Sequence, residues 1–315
     1  MLRDLLFLWL IVGRLPLAAP WRLVTAQRCA RCRTRRAQLS MRAAHEPDTV
    51  AELLNDVPAE ALPRHLAVVM DGNSRWARDA DRPIVAGHVA GVEALRMLVR
   101  NCASLEPLRE LTVFAFSAEN WGRPAEEVTT LLSLIERVLR AEADSLFESG
   151  VRVRFTGDLE RLPEALRELI RQVSARAPPP AERLVLCIAL SYGGRQEITR
   201  AARELCERVL AGELVPSEVD DALFADTLRG LDADGGRTDG KSSDAARISD
   251  CPANDPDLLL RTGGQRRLSN FLLYQCAYTE LAYTDVLWPD FDTSELARSL
   301  REYARRQRTF GIRHV

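Results

Sequence analysis

Short apolar segments alternate along this chain with segments in which apolar residues repeat every three or four positions. The apolar segments are His65–Met70, Leu111–Phe116, Val151–Phe155, Leu184–Leu190 and Leu258–Leu260. Several are apolar at nearly every position, a pattern typical of parallel strands that are buried on both faces. The alternation predicts an α/β fold in which a central, mostly parallel sheet is flanked by helices.

The helical segments are expected to cover the faces of that sheet. The clearest run through Val92–Cys102, from Pro124 to about Phe147, through Gly194–Leu210 and through Thr293–Arg308. Ligands of such sheets bind beyond the carboxyl ends of the strands. We therefore expect the functional residues in the segments that follow Met70, Phe116, Leu190 and Leu260.

Charge is distributed unevenly between the first 45 residues and the remainder. Residues 1–45 contain nine arginines and one acidic residue, whereas residues 46–315 carry ten more acidic than basic side chains. The apolar run Leu5–Val12 is too short to span a bilayer and, with the arginine-rich stretch after it, is typical of a targeting segment. We expect residues 1–45 to be removed or disordered and to direct the chain to an organelle, with a plastid favoured over the endoplasmic reticulum or a mitochondrion.

The remaining residues, 46–315, are expected to form a single domain with a polar insertion at about residues 232–256. The acidic balance of this part argues against nonspecific binding to nucleic acid. The insertion contains Gly235–Ser242 (GGRTDGKS), which matches the spacing of a nucleotide-binding phosphate loop. A true phosphate loop follows a buried strand and opens a helix, and this segment does neither, so a nucleotide hydrolase is disfavoured.

Lys241 is the single lysine of the chain, so anion recognition falls to arginine, whose planar guanidinium binds phosphate oxygens in pairs. The segment after the strand at Leu258–Leu260, Arg261–Asn270 (RTGGQRRLSN), holds three arginines, two glycines and two hydroxyl side chains. It is the strongest anion-binding signal in the sequence. Taken alone, it is also compatible with a solvated charged loop.

The segment after Met70, Asp71–Trp76 (DGNSRW), is predicted to be a loop. It combines a carboxylate for a divalent cation with a glycine and an arginine for an anion, although by itself it is more typical of an ordinary Asp-Gly-Asn turn. His88 stands just before a predicted helix, where it is a candidate donor to phosphate. Arginine segments and one carboxylate at the same sheet edge predict a polyphosphate-type substrate.

These segments resemble the cis-prenyltransferases, the family of undecaprenyl diphosphate and dehydrodolichyl diphosphate synthases. The resemblance extends from about His65 to Gly311 and rests on HLAVVMDGNSRWA, AGHVAG, FAFSAENWGRP, SYGGRQEI, LLLRTGGQRRLSNFLLYQ and AYTELAYTDVLWPDF. It implies an enzyme that condenses isopentenyl diphosphate sequentially onto an allylic diphosphate such as farnesyl diphosphate, with Z double bonds and Mg²⁺. It also implies a hydrophobic product channel, for which the helix from Pro124 to about Phe147 is a candidate wall.

The resemblance also assigns roles to individual residues. Asp71 and Asn120 are the implied catalytic residues, and Asp71 and Glu280 are the implied Mg²⁺ carboxylates. The implied substrate-binding residues are Gly72, Asn73, Ser74, Arg75, Trp76, His88, Ser117, Glu119, Trp121, Arg123, Arg261, Arg267 and Ser269. Because Asn120 cannot be a strong base, the diphosphate itself is the candidate proton acceptor.

The implied partners are the two diphosphate substrates, a second copy in a homodimer and a membrane-associated product. Three positions depart from the family pattern: Ser74 replaces a loop glycine, Ile84 stands where some bacterial members carry an arginine, and Gln265 replaces the glutamate of RTGGE. The alternative is a weakly catalytic or noncatalytic partner subunit of a cis-prenyltransferase complex. Such subunits typically lose the aspartate of the DGN motif, so Asp71 argues for an active enzyme.

Overall fold

The computed structural model describes residues 49–229 and 255–308, which fold around a parallel β-sheet. The strands are β1 (His65–Val69), β2 (Glu110–Ser117), β3 (Val151–Thr156), β4 (Leu184–Tyr192), β5 (Leu258–Arg261) and β6 (Glu280–Tyr283). Their order across the sheet is β3-β4-β2-β1-β5-β6, and every neighbouring pair is parallel. The predicted α/β class and the predicted parallel sheet are confirmed.

Strand β6 is the one that the sequence did not predict. It is four residues long, lies at one edge of the sheet, and buries Ala282 while Leu281 beside it is 36% exposed. A short edge strand with an exposed face lacks the continuous apolar pattern that marks the other strands.

The helices are α1 (Val50–Leu53), α2 (Asn73–Asp79), α3 (Ile84–Ser104), α4 (Ala125–Glu148), α5 (Glu164–Ser174), α6 (Gly194–Leu210), α7 (Asp221–Arg229) and α8 (Thr293–Ala304). Helices α4 and α6 confirm the predicted segments to within a residue. Helix α8 ends at Ala304, earlier than the predicted Arg308. The loop predicted through Trp76 was wrong beyond Gly72, because α2 begins at Asn73.

The side chains of β1 alternate between two apolar layers, as the pleat of a strand requires. Leu66 and its same-face neighbours pack with Leu98 of α3 and with α8, and Leu66 and Leu98 are both fully buried. Ala67, one residue on, faces the opposite layer, which contains Phe271. Burial on both faces explains why the predicted strands are apolar at nearly every position.

The register of the sheet brings the predicted functional segments to one edge. Val69 pairs with Phe114 of β2 on one side and with Arg261 of β5 on the other. Because the strands are parallel, the residues that follow them, including Asp71 and Thr262, emerge together at the carboxyl edge.

The predicted targeting segment and almost all of the predicted polar insertion lie outside the described residues. Among the helices that the structure describes, none has both the length and the apolar composition needed to cross a bilayer.

Candidate active site

The carboxylate of Asp71, two residues beyond β1, is held between two arginines. Arg75 Nη2 donates to Asp71 Oδ1 at 3.0 Å, and Arg261 Nη2 donates to Asp71 Oδ2 at 2.9 Å. The Arg261 side chain is 5% exposed, whereas those of Asp71 and Arg75 are 28% and 36% exposed. The carboxylate is therefore anchored to a buried cation on one side and partly open to solvent on the other.

Glycines allow the three segments that meet here to approach so closely. Gly72 adopts φ +124° between β1 and α2, and Gly263 adopts φ +78° after β5. A Cβ atom on Gly263 would lie 2.4 Å from Arg75 Nη2 and 2.8 Å from the backbone oxygen of Asp71. Arg75 Nη1 donates to the Gly263 carbonyl at 2.6 Å. The glycine after Arg261-Thr262 is thus required by the close contact with the Asp71 segment as well as by its φ.

Arg261 also organises the segment that follows it. Its Nη1 donates to the backbone oxygen of Arg267 at 2.5 Å and to Ser269 Oγ at 2.6 Å. The Nε atom of Arg261 is buried without a hydrogen-bond partner. Arg267 Nη1 donates to Gln265 Oε1 at 2.5 Å, so this departure from the family pattern contacts a predicted substrate-binding arginine. Arg261 is therefore the buried arginine of the segment Arg261–Asn270, whereas Arg266 and Arg267 are exposed.

On the neighbouring side of the site, the segment after β2 forms a short 3₁₀ helix at Ala118–Gly122. Asn120 Oδ1 accepts the backbone N–H of Ser117 at 3.0 Å, which fixes the carboxamide at the start of this turn. Arg123, just beyond it, donates to Glu127 Oε1 at 3.0 Å. The 3₁₀ helix and the residue that follows it hold Asn120 and Arg123 on the same rim as Asp71.

Asn270 joins the two sides of the site and was absent from the residues that the sequence singled out. Its Nδ2 donates to Glu119 Oε1 at 2.7 Å and to Gln196 Oε1 at 3.0 Å. Its Oδ1 accepts the backbone N–H of Arg195 at 2.8 Å. Asn270 adopts φ +63°. Asparagine tolerates this left-handed conformation better than most residues, so the presence of an asparagine here was the only signal that the sequence offered.

Besides Nε of Arg261, two more polar atoms near the rim are buried without a hydrogen-bond partner among the described residues, namely Nε2 of His88 and Oδ1 of Asn73. Burial is the main reason that the pKa of His88 lies below its usual 6.5, and the positive charge of Arg123 lowers the pKa further. The imidazole is therefore neutral at neutral pH. Buried polar atoms are normally satisfied, so both are candidates for contact with a bound ligand or water.

A cavity of about 910 Å³ opens at this rim and runs between α3, α4 and the sheet. Its mouth is lined by Asp71, His88 and Arg261, and its interior by apolar side chains such as Leu95 of α3. Val151, at the first position of β3, also lines it, so the cavity extends towards the amino edge of the sheet. The cavity therefore joins a cationic mouth to a largely apolar interior.

Most of the predicted site residues line this cavity. Those that do are Asp71, Asn73, His88, Ser117, Glu119, Asn120, Arg123, Arg261, Arg267 and Ser269. Gly72, Ser74 and Arg75 lie beside it in the turn and first residues of α2. The predicted tryptophans are held elsewhere: Trp76 donates to Asp290 Oδ1 at 2.8 Å, and Trp121 donates to Ser191 Oγ at 3.0 Å.

Glu280 lies away from the other predicted site residues. It is the first residue of β6 and pairs in register with Leu258, which places it at the amino edge of the sheet, opposite Asp71. Arg306 Nη1 donates to Glu280 Oε2 at 2.9 Å. Within one chain, the structure does not bring Glu280 to Asp71, and its metal-binding role stays a prediction.

Comparison with known proteins agrees with this arrangement. Residues 69–311 match a family model described as "Putative undecaprenyl diphosphate synthase". A (2E,6E)-farnesyl-diphosphate-specific ditrans,polycis-undecaprenyl-diphosphate synthase of Xanthomonas axonopodis is 44% identical over 259 residues, covering 82% of this chain and 92% of the relative. An isoprenyl transferase of Prochlorococcus marinus is 42% identical over 263 residues, covering 82% and 91%.

Solved structures show the same likeness. Lavandulyl diphosphate synthase from Lavandula x intermedia, in complex with dimethylallyl diphosphate, superposes with a TM-score of 0.68 at 30% identity, covering 80% of this chain and 99% of that one. The structure of a probable undecaprenyl diphosphate synthase from Campylobacter jejuni gives a TM-score of 0.60 at 33% identity, covering 79% of this chain and 98% of that one.

Proposed function

The chain belongs to the undecaprenyl diphosphate synthase family of cis-prenyltransferases, and from this premise we propose that it condenses isopentenyl diphosphate stepwise onto an allylic diphosphate with Z stereochemistry. The observation that carries the proposal is the Asp71 carboxylate, held between Arg75 and Arg261 at the mouth of an elongated apolar cavity. A diphosphate head needs cationic donors, and a prenyl tail needs apolar walls. This cavity offers both in one continuous space.

The reaction breaks the bond between an allylic carbon and a diphosphate oxygen, so negative charge grows on the leaving diphosphate. Preorganised cations lower the cost of that charge. Arg261, Arg267 and Arg123 line the mouth, and Arg261 is fixed by its bonds to Asp71 and Ser269. We assign these arginines to the two diphosphate groups, and the apolar interior to the growing chain.

Mg²⁺ is the cofactor that fits this proposal. Magnesium is usually bound by one or two protein carboxylates together with substrate phosphates. Asp71 supplies one partly exposed carboxylate, and within residues 49–229 and 255–308 no cluster of three or more potential metal ligands is found. This donor set fits a metal shared with a diphosphate, with Asp71 as the residue of this chain that would hold it. When bound, Mg²⁺ would neutralise charge on the diphosphate and so make it a better leaving group.

Each condensation also requires a proton to leave the isopentenyl group. Asn120 lines the cavity, and its carboxamide is oriented by the Ser117 N–H. A neutral carboxamide orients a substrate but does not accept a proton, so a diphosphate oxygen is the acceptor in this proposal. In this proposal neutral His88, whose Nε2 is unpartnered, donates to the allylic diphosphate, whereas the unpartnered Oδ1 of Asn73 can only accept and therefore does not contact the diphosphate directly.

The test is incorporation of radiolabelled isopentenyl diphosphate by the purified full-length chain with Mg²⁺. Farnesyl diphosphate is the proposed primer because several relatives are named as specific for it. We expect elongated products whose formation stops when Mg²⁺ is chelated. Incorporation that appears only after a second protein is added would instead support the alternative of a weakly catalytic partner subunit. No incorporation under either condition would refute the proposal.

We also propose that the chain forms a homodimer and that residues 1–45 direct it to an organelle, with a plastid favoured. The exposed edge strand β6, with Leu281 36% and nearby Tyr278 72% exposed, supports a self-associating surface. The excess of arginine in residues 1–45 supports a role as a targeting segment. Light scattering of the purified chain tests the first proposal, and imaging of a chain tagged at its carboxyl terminus tests the second.

A further inference from the structure

The cavity changes character along its length. On α3, Val92 faces the cavity near the mouth, and Arg96 and Arg100 follow it on the same helical face. On α4, Val138 is followed on the same face by Glu142. Spacings of three and four residues keep these side chains in one stripe. These faces are therefore apolar next to the mouth, whereas the half that adjoins the amino edge of the sheet, here called the charged half, adds Arg96, Arg100 and Glu142 to apolar residues such as Val99 and Leu146.

The charged half contains an ion pair that joins the two wall helices. Arg96 Nε and Nη2 donate to Glu142 Oε1 at 3.1 and 2.6 Å. The side chains of Arg96 and Glu142 are 35% and 27% exposed, and both line the cavity. Arg96 also pairs with Glu93 on its own helix. The pair is thus a polar link between α3 and α4 in the wall of the cavity, where apolar side chains such as Leu95 and Leu139 also line it.

Such a link opposes the passage of an apolar chain. A prenyl chain that reached it would have to remove water from two charged groups or move α3 away from α4, and both changes are unfavourable. No comparable cost arises nearer the mouth, where apolar side chains such as Val92 and Val138 receive the chain. We propose that Arg96–Glu142 is a specificity-determining pair that limits the length of the polyprenyl product, a proposal that rests on the proposed prenyl-transfer function.

The position of Arg96 along α3 sets the expected change in product length. Helix α3 continues for eight residues beyond Arg96 to its end at Ser104. This corresponds to about 12 Å of further helix, enough to accompany roughly two or three more isoprene units. Removing the charges opens this region to the chain, so the main product is expected to lengthen by about two isoprene units.

The test compares product lengths by mass spectrometry for wild type, Arg96→Met and Glu142→Gln, with isopentenyl and farnesyl diphosphates. Both variants should lengthen the product while the rate of the first condensation changes little, because Arg96 lies eight residues, about 12 Å of helix, beyond His88 at the mouth. The matched control is the pair Arg140–Glu136, 3.0 Å apart on α4 but not lining the cavity. Arg140→Met and Glu136→Gln should leave product length unchanged.

The outcomes separate this inference from the proposed function. If wild type makes no elongated product, the proposed function fails first. If wild type elongates and both Arg96→Met and Glu142→Gln give its product length, only the inference is overturned. The reversed pair, Arg96→Glu with Glu142→Arg, should restore the wild-type length. Lengthening by the reversed pair would also overturn the inference, because side-chain volume and not the ion pair would then be responsible. Glu142→Gln preserves side-chain shape, so it decides the question if Arg96→Met does not fold.

Discussion

Each edge of the sheet carries an arginine–aspartate ion pair, and the two pairs have similar geometry but different surroundings. At the carboxyl edge, Arg261 donates to Asp71 at 2.9 Å, and at the amino edge, Arg308 donates to Asp257 at 2.8 Å. The two aspartate side chains are almost equally exposed, at 28% and 23%. Only the pair at the carboxyl edge lines the large cavity. Pair geometry by itself therefore does not identify a functional carboxylate, and position in the sheet does.

The remaining bonds of the two aspartates explain the difference. Asp257 Oδ2 accepts the backbone N–H groups of Arg64 and His65 at 2.9 and 3.1 Å, so this carboxylate caps the start of β1. In the part of the chain that the structure describes, the Asp71 carboxylate is instead bonded to arginine side chains. Side chains can shift when a ligand arrives, whereas the strand that Asp257 caps cannot. Asp71 is thus the carboxylate that can exchange partners.

The largest expected effect comes from removing each aspartate in turn. Asp71→Ala should lower turnover at least about 1,000-fold, because the variant loses the carboxylate proposed to hold the metal at the leaving group. Asp257→Ala should leave turnover of the folded protein nearly unchanged. It should reduce the free energy of unfolding by about 1–3 kcal/mol, because the backbone N–H groups of Arg64 and His65 lose their acceptor. Incorporation assays and thermal denaturation measure the two quantities. Equal losses of turnover would contradict the comparison.

The second effect concerns the glycine that lets Arg75 reach Asp71. Gly263 and Gly212 have nearly the same φ, +78° and +74°, but a Cβ atom on Gly212 would meet nothing within 4 Å. Alanine at either position pays about 1–2 kcal/mol for its left-handed backbone. Gly263→Ala additionally displaces Arg75 or Asp71, and misplacement on this scale can cost about 100-fold in turnover.

Gly212→Ala is the matched control and should leave turnover unchanged within about twofold, because its cost is confined to stability. Steady-state kinetics on both folded variants measures the difference. If the two variants lose turnover equally, the close contact between Gly263 and Arg75 is irrelevant to activity.

The sequence predicted those parts of the site that depend on strand direction alone, and it missed those that depend on the register of an unrecognised strand. The apolar strands and their parallel arrangement predicted that Asp71 and Arg261 would meet, and the structure joins them directly. That prediction needed only strand direction. The position of Glu280 needed the existence and register of β6, a strand too short and too exposed to be recognised from its pattern. A residue inside an unrecognised strand could not be assigned to either edge.

Asn270 was missed for a different reason. Its partners Glu119 and Gln196 lie on different segments, 151 and 74 residues away. Contacts of this kind depend on the conformation of three separate turns, which local sequence patterns do not determine. The structure shows that this single carboxamide ties the two sides of the carboxyl edge together.

The third prediction tests that role. Asn270→Asp keeps the acceptor for the Arg195 N–H and tolerates the positive φ, but it replaces the amide donor with a charge beside Glu119. The Glu119 segment should move away, and KM for the diphosphate substrates should rise about tenfold with a smaller change in kcat.

Asn101→Asp is the control for a buried asparagine away from the site. Asn101 is 6% exposed and donates to the backbone oxygen of Met97 at 3.0 Å. Its replacement should lower the midpoint of thermal unfolding and leave KM unchanged. A rise in KM for both variants would show that general destabilisation, not the bond to Glu119, is responsible.

The smallest effect is a pH dependence that again distinguishes the two edges. At the amino edge, His65 Nε2 lies 2.8 Å from Thr112 Oγ1, whereas at the carboxyl edge His88 Nε2 is buried without a partner. Burial first, and Arg123 next, lower the pKa of His88 in the folded protein below 6.5. The unfolded chain therefore binds the proton more readily, and stability contributed by neutral His88 is present above pH 6.5 and is lost as the pH falls towards the folded-state pKa.

The thermal midpoint of wild type should fall across this pH window more steeply than that of His88→Gln, which cannot take up the proton. Parallel midpoint curves for the two proteins would show that His88 titrates as an ordinary exposed histidine, and the proposed neutral imidazole at the diphosphate site would then have no basis.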